Sequence, residues 1–322
     1  MSMRHIVAAA LMLAATPAAA QSAPATELTA PGPQGDLHGT LINAGINAGK
    51  QAPVVLIIPG SGPTDRDGNN PLGVKGSTYR LLAEALAARG ISTVRIDKRG
   101  MFASKAAASA TKALIGDYVT DVRAWVTATR AATGAKCVWL LGHSEGGLVV
   151  LAAGDAPDIC GLILVSASGR PFGTLIHDQI HASPANAIIF DQADAALTKL
   201  AAGEHVDTNG MNPALLPLFN VGVQDYLIDL MRYRPIDLAA KTKSRMLIVQ
   251  GESDIQVSVD DARALAAARP DATLVLLPGV NHILKTVGQV DRAANIASYA
   301  NPDLPIDSGV VTAVAGFVTK KR

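Results

Sequence analysis

Leu140-Leu141-Gly142-His143-Ser144-Glu145-Gly146-Gly147 joins an apolar run, Val138 to Gly142, to a second one of helical character, Gly146 to Ala153. A Gly-x-Ser-x-Gly pattern in that setting describes a strand turning sharply into a helix, with the serine on the turn. The turn leaves no room for side chains at its flanks, which accounts for Gly142 and Gly146. It holds the Ser144 hydroxyl at the mouth of a sheet. The N-terminal amides of the following helix point at the same spot and favour developing negative charge there. Ser144 is the expected nucleophile.

Working outward, Val54-Val55-Leu56-Ile57-Ile58 is a continuous apolar run of the kind buried on both faces of a sheet. It stops at Pro59-Gly60-Ser61-Gly62-Pro63. Thr78 to Arg89 has helical period, with Leu82, Ala85 and Leu86 on one face and Gly90 as its C-cap. Ile91 to Ile96 is the next strand, and Asp117 to Thr129 spaces Tyr118, Val122, Trp125 and Val126 along a helix face. Leu162 to Val165, Met246 to Val249 and Leu274 to Leu277 supply three more strands, while Leu28 to Ile42 alternates like antiparallel ones. This alternation predicts an α/β fold, a mostly parallel central sheet with helices on both faces. Residues 170–243 break the rhythm. They hold no strand-like run but carry helical stretches at Ile176 to Ile180, Ala185 to Leu200 and Gln224 to Met231. We read 170–243 as a helical cap inserted between two late strands, with 21–169 and 244–322 as the core.

A serine hydroxyl attacks only when a base takes its proton. His5 and His38 lie in the N-terminal region, and His143 cannot fold back onto its neighbour's hydroxyl. His177 and His181 stand at helical i,i+4 spacing in the cap, where they suggest metal ligands, but no third ligand is evident and we expect solvated helix positions. His205 is also in the cap. His282 remains, on a turn directly after the last strand. The acid belongs between Ser144 and His282 on a loop after a strand, which selects Asp254 over Glu252. Asp260 and Asp261 read as first-turn helix residues, and Ser166-Ala167-Ser168-Gly169 offers no carboxylate after the preceding strand. For the oxyanion hole we expect the backbone amides of Glu145 and Ser61.

With these residues in place, the chain resembles the α/β-hydrolase superfamily, and within it secreted bacterial esterases and serine aminopeptidase-like hydrolases. The resemblance rests on Pro59 to Asp67 (Pro-Gly-Ser-Gly-Pro-Thr-Asp-Arg-Asp), Gln250 to Val257 and Asn281-His282. It implies fold and mechanism but does not specify the substrate; our reading is two-step hydrolysis of a small-molecule carboxylic ester through Ser144, Asp254 and His282. The alternatives are a serine peptidase of the aminopeptidase kind and a non-catalytic binding protein on the same scaffold. Asp97 to Ser104 is similar to the family's Asp-x-Arg-Gly-x-Gly-x-Ser, with Phe102 where Gly is usual. Asp65-Arg66-Asp67 either binds a charged substrate group or pairs internally with Arg99 as a candidate partner; we expect pairing.

Lys and Arg number 28 against 27 Asp and Glu. This balance gives no footprint for nucleic acid or for an anionic membrane surface. Arg4, the apolar run Ile6 to Ala15 and Ala18-Ala19-Ala20 form a signal-peptide pattern over 1–20, and ten apolar residues are too few to span a bilayer. We therefore expect a periplasmic or secreted protein without stable membrane insertion. Cys137 and Cys160 each precede a strand-like run. If those strands are parallel neighbours, a disulfide is geometrically reasonable and would close a loop of about 22 residues, worth on the order of 3 kcal/mol. Two reduced buried cysteines are the alternative. No metal or organic cofactor is implied, and nothing in the pattern addresses oligomeric state.

Overall fold

The computed structural model describes residues 24–47, 50–108, 113–288 and 291–320. The expected signal peptide, 1–20, lies outside the described residues. An eight-stranded sheet forms the centre. Its strands are β1 (Ala25–Pro31), β2 (Asp36–Ile42), β5 (Val54–Ile58), β6 (Ser92–Ile96), β7 (Val138–His143), β8 (Ile159–Val165), β9 (Met246–Gly251) and β10 (Thr273–Leu277). A small antiparallel ribbon of β3 (Ile46–Asn47) and β4 (Lys50–Gln51) stands apart from it. The strand order is β1-β2-β6-β5-β7-β8-β9-β10. β1 and β2 run antiparallel to their neighbours, and from β6 to β10 every pairing is parallel.

Every residue of β5, β6 and β7 is buried, because helices cover both faces of the sheet. Apolar residues on one face pack with α2 (Ile115–Thr133), α3 (Glu145–Ala153) and α9 (Val259–Ala268). Those on the other pack with α1 (Thr78–Ala87) and α11 (Ser308–Thr319). Trp125, fully buried, is the largest side chain of the first layer. Cys137 and Cys160 are joined in a disulfide across β7 and β8, with Cα atoms 5.2 Å apart.

Between β8 and β9 the chain is helical: α4 (Phe172–His181), α5 (Phe190–Ala201), α6 (Leu216–Phe219), α7 (Gln224–Met231) and α8 (Pro235–Lys241). Most of this excursion has an apolar centre of its own, in which Ala193, Leu197, Leu200, Phe219 and Leu227 are buried together. α8 instead joins the main core through Ala239. A further short helix, α10 (Arg292–Ser298), packs near the turn after β10. No helix among the described residues is long and apolar enough to cross a membrane.

Candidate active site

The sheet order reverses at β5, whose parallel neighbours are β6 and β7. Ligands of open α/β sheets bind at the carboxyl ends of strands beside such a switch point. Ser144 stands there, between the end of β7 and the start of α3. Its φ of 54° and ψ of −121° are strained for a residue with a Cβ. The flanking glycines are obligatory: a Cβ on Gly142 would stand 2.1 Å from the Gly146 carbonyl oxygen, and one on Gly146 would stand 2.3 Å from that of Ile58.

His282 and Asp254 come to this point from two other loops. Asp254, just after β9, accepts a hydrogen bond from His282 Nδ1 at 2.8 Å, and its side chain is fully buried. Its other oxygen accepts the amides of Gln256 (2.8 Å) and Val257 (3.0 Å). Burial pushes the Asp254 carboxyl up, but the charge and hydrogen bond of His282 and these two amides outweigh it, holding the group below the usual carboxylate value. With Nδ1 donating to a carboxylate, the neutral ring presents a bare Nε2. His282 and Ser144 line one cavity. A direct hydrogen bond between them is not among those of the described residues; such links are often long without substrate and tighten when it binds. Glu252 is exposed.

The loop after β5 closes on the serine, since a Cβ on Gly60 would approach Ser144 Cβ to 3.2 Å. The Gly60 carbonyl accepts a hydrogen bond from buried Lys98 Nζ at 2.8 Å. A trans peptide points its C=O and the next N–H in opposite directions, so this bond turns the Ser61 amide away from Lys98. Burial lowers the Lys98 ammonium, and Glu145, 3.9 Å away, partly restores it. Ser61 and Glu145 both line the cavity that reaches Ser144 from the side of α4 and α7.

A second network was not legible in the sequence. His143 Nε2 donates to the His282 carbonyl at 2.8 Å. His143 Nδ1 therefore accepts from the Tyr79 hydroxyl at 2.9 Å, and that hydroxyl accepts the Gly60 amide at 2.9 Å. One tautomer satisfies all three bonds. Burial, with the nearby His282, depresses the His143 imidazole to about 3, so it stays neutral. Both ring nitrogens of His143 are thus engaged, and the residue ties the loop of His282 to the loop bearing Ser61.

The ion pairs of the charged segment run to residues of the core strands and their ends, neither within the segment nor to Arg99. Arg66 engages Asp97 and Glu27, and Asp67 engages Arg95. Arg99 is taken by Asp117 and Asp121 on α2. The loop after β8, carboxylate-free in sequence, receives one from α9: Asp261 Oδ1 accepts from Ser168 Oγ and from the amides of Gly169 and Arg170.

Two cavities meet at Ser144. One, of about 50 Å³, is walled by Leu148, Phe172, Leu175, Leu230, Tyr233 and Val257. The other, of about 150 Å³, holds His282 and is edged by Thr64, Asn70, Thr78, Gln256 and Tyr299.

A parallel sheet of this order, with a strained serine on the turn after β7, is that of an α/β hydrolase. Solved structures agree on the fold. The esterase Pf2001 of Pyrococcus furiosus superposes with a TM-score of 0.55 at 14% identity, covering 92% of this chain and 91% of its own. Est1E from Butyrivibrio proteoclasticus gives 0.53 at 18%, covering 90% and 96%. The family model described as Hydrolase_4, serine aminopeptidase S33, matches residues 72–286, which include Ser144, Asp254 and His282. The chain belongs to this family. Esterase EstD of Thermotoga maritima is 23% identical over 241 residues, 72% of this chain and 54% of EstD, so the chain spans about half the length of that curated relative.

Proposed function

We propose that the protein hydrolyses short-chain carboxylic esters through a Ser144-His282-Asp254 triad. His282 Nε2 takes the Ser144 proton as Oγ attacks the ester carbonyl, and the amides of Ser61 and Glu145 receive the oxyanion. Collapse passes that proton to the departing alcohol and leaves an acyl group on Ser144. Water, deprotonated by His282, then releases the acid and restores the serine. Asp254 keeps the imidazole in the required tautomer. The Asp254–His282 bond at 2.8 Å beside the strained Ser144 carries this reading.

The two cavities orient the substrate. His282 must reach the leaving group, so the alcohol lies in the larger cavity that His282 lines, the more polar of the two. The acyl group lies opposite, in the small apolar cavity. Its volume suits an acyl chain of a few carbons. A peptidase reading needs a carboxylate to anchor the substrate amine; Asp178, Asp191, Asp194 and Glu204 line neither cavity, and Glu145, which lines the smaller one, faces the buried Lys98 ammonium at 3.9 Å. The esterase names of the related proteins favour the same choice. Export is part of the proposal, supported by the leader pattern and by a disulfide that an oxidising compartment preserves; the N-terminal sequence of the protein recovered from the periplasm or medium tests it.

A fluorophosphonate probe should label the wild type and leave Ser144→Ala unlabelled, with esterase activity falling at least about a thousandfold. Labelling that persists in Ser144→Ala removes the nucleophile. Nitrophenyl esters of increasing chain length, run beside aminoacyl-anilides, should show kcat/KM highest for the shortest acyl groups. Anilides hydrolysed as fast as esters would reverse the substrate assignment.

A further inference from the structure

The larger cavity at Ser144 carries polar side chains with spare hydrogen-bonding capacity. Thr64, Asn70, Gln256 and Tyr299 line it, all half-buried, together with Val74 and Ile283. Among the described residues no lysine, arginine, aspartate or glutamate lines it. Gln256 Nε2 donates to the Tyr299 hydroxyl at 3.1 Å. That leaves the Tyr299 hydroxyl proton, the second Nε2 hydrogen and Gln256 Oε1 unengaged. Asn70 Oδ1 accepts the Leu72 amide at 2.7 Å, while Asn70 Nδ2 reaches Thr64 Oγ1 only at 3.5 Å, so one of its hydrogens is also open. We propose that this cavity receives a sugar ring, which makes the substrate a neutral sugar carrying a short acyl group. The inference rests on the esterase reading and names its alcohol.

A sugar hydroxyl both donates and accepts, and the open groups are of both kinds: hydrogens on Tyr299, Gln256 and Asn70, and an acceptor at Gln256 Oε1. With no charged side chain on its walls, the cavity has nothing to pair with a phosphate, carboxylate or ammonium on the alcohol, and an unpaired charge is costly to bury. An alcohol without further hydroxyls would leave these polar groups without partners, the case that such sites reject most strongly. At roughly 10–15 Å³ for each water-sized position, the cavity's 150 Å³ holds about ten to fifteen of them. That is enough for a pyranose ring with its hydroxyls and more than glycerol fills. On the same scale the 50 Å³ cavity holds about three to five, which fits an acetyl or propionyl group. Val74 and Ile283 offer the C–H face of the ring an apolar contact. The polar groups are also fixed in advance. The Lys75 amide donates to the Tyr299 carbonyl at 2.8 Å, and the Gln256 amide to Asp254 Oδ1 at 2.8 Å. Gln179 of α4 holds the Gln256 carbonyl at 2.9 Å. Groups already held in place lose little freedom on binding. His282 protonates the sugar oxygen as the acyl C–O bond breaks, and water later releases the acid, so no further reagent is needed.

Acetyl esters test this, because they share one acetyl-enzyme and differences in kcat/KM then arise on the alcohol side alone. Methyl glucosides acetylated at each hydroxyl in turn are compared with glyceryl monoacetate, cyclohexyl acetate and nitrophenyl acetate, each rate divided by that ester's rate with hydroxide. At least one glucoside should exceed cyclohexyl acetate by about a hundredfold or more, and should exceed glyceryl monoacetate as well. Tyr299→Phe and Gln256→Leu should each lower the ratio of glucoside to nitrophenyl acetate activity about fivefold or more, chiefly through KM, with the wild-type circular dichroism kept. Cyclohexyl acetate or glyceryl monoacetate hydrolysed as well as every glucoside would overturn the sugar assignment. A ratio unmoved in both variants would do the same. In those cases nitrophenyl acetate is still cleaved and the triad reading stands; a wild-type protein inactive on nitrophenyl acetate as well would end both.

Discussion

Lys98, Tyr79 and His143 hold in place the loops that carry the proposed catalytic groups. In the proposed mechanism the Ser61 amide must face the oxyanion, and Lys98 fixes that peptide by holding the Gly60 carbonyl. Removing the ammonium alone would strand Glu145 as a buried charge, so the informative variant is Lys98→Met with Glu145→Gln. It should fold and bind substrate with little change in KM, while kcat falls about tenfold or more through loss of a positioned donor. An unchanged kcat would mean the loop holds its shape without Lys98. His143→Leu removes the link from His282 to Tyr79 and should also lower kcat. Because burial keeps His143 neutral down to about 3, its loss should leave the shape of the pH–rate profile unaltered between roughly pH 5 and 9. A profile whose inflection moves or disappears would make His143 a proton carrier. Ser144, Asp254 and His282 could be chosen as candidates from the sequence because a motif and the chain order expected of a triad point to them. Lys98, Tyr79 and His143 could not, since their partners lie 38, 64 and 139 residues away and no local pattern encodes such contacts.

At the scale of elements, the strands that read clearly are those buried on both faces. β5 was expected over Val54 to Ile58 and occupies those residues. α11 escaped notice because Ser308–Thr319 is apolar almost all round, which hides its period, although Asp307 caps its first turn. Capping chemistry was more informative: Asp261 was expected in the first turn of a helix, and it closes a capping box with Ser258 at the start of α9. The departure at Phe102 also finds a physical meaning. Its φ is 46°, the left-handed region that glycine enters freely, and its ring borders neither cavity at Ser144. Phe102→Gly and Phe102→Ala both delete the ring, so comparing them isolates the backbone. The glycine variant should be the more stable by about 1 kcal/mol in denaturant unfolding, the reverse of the usual order, with esterase activity equal in the two. An alanine variant as stable as the glycine variant would show that the turn carries no strain.

Stability against pH belongs to the whole molecule, and one buried group gives it a testable feature above neutrality. Lys285 is fully buried on the loop after β10, and its ammonium donates to the Leu304 carbonyl at 2.7 Å. Burial, aided by the charge of Arg80, lowers it from 10.5 to about 8. Below pH 8 both folded and unfolded chains carry this proton, and the fold bears the cost of burying a cation. Between about 8 and 10.5 the folded chain releases the proton while the unfolded chain keeps it. The unfolded state then binds more protons, so stability rises with pH across that window. Above 10 the trend reverses, because burial raises the hydroxyls of Tyr79, Tyr118, Tyr226 and Tyr299 and the unfolded chain becomes the readier acid. The displacement of Lys285 corresponds to about 3 kcal/mol, against about 1 kcal/mol for the hydrogen bond it makes. Lys285→Met should therefore stabilise the protein by about 2 kcal/mol at pH 7, and the gain should shrink steadily as pH approaches 10. Urea unfolding of both proteins at several pH values measures this directly. A variant less stable than the wild type at pH 7, or a gain independent of pH, would show that the ammonium is well accommodated where it lies.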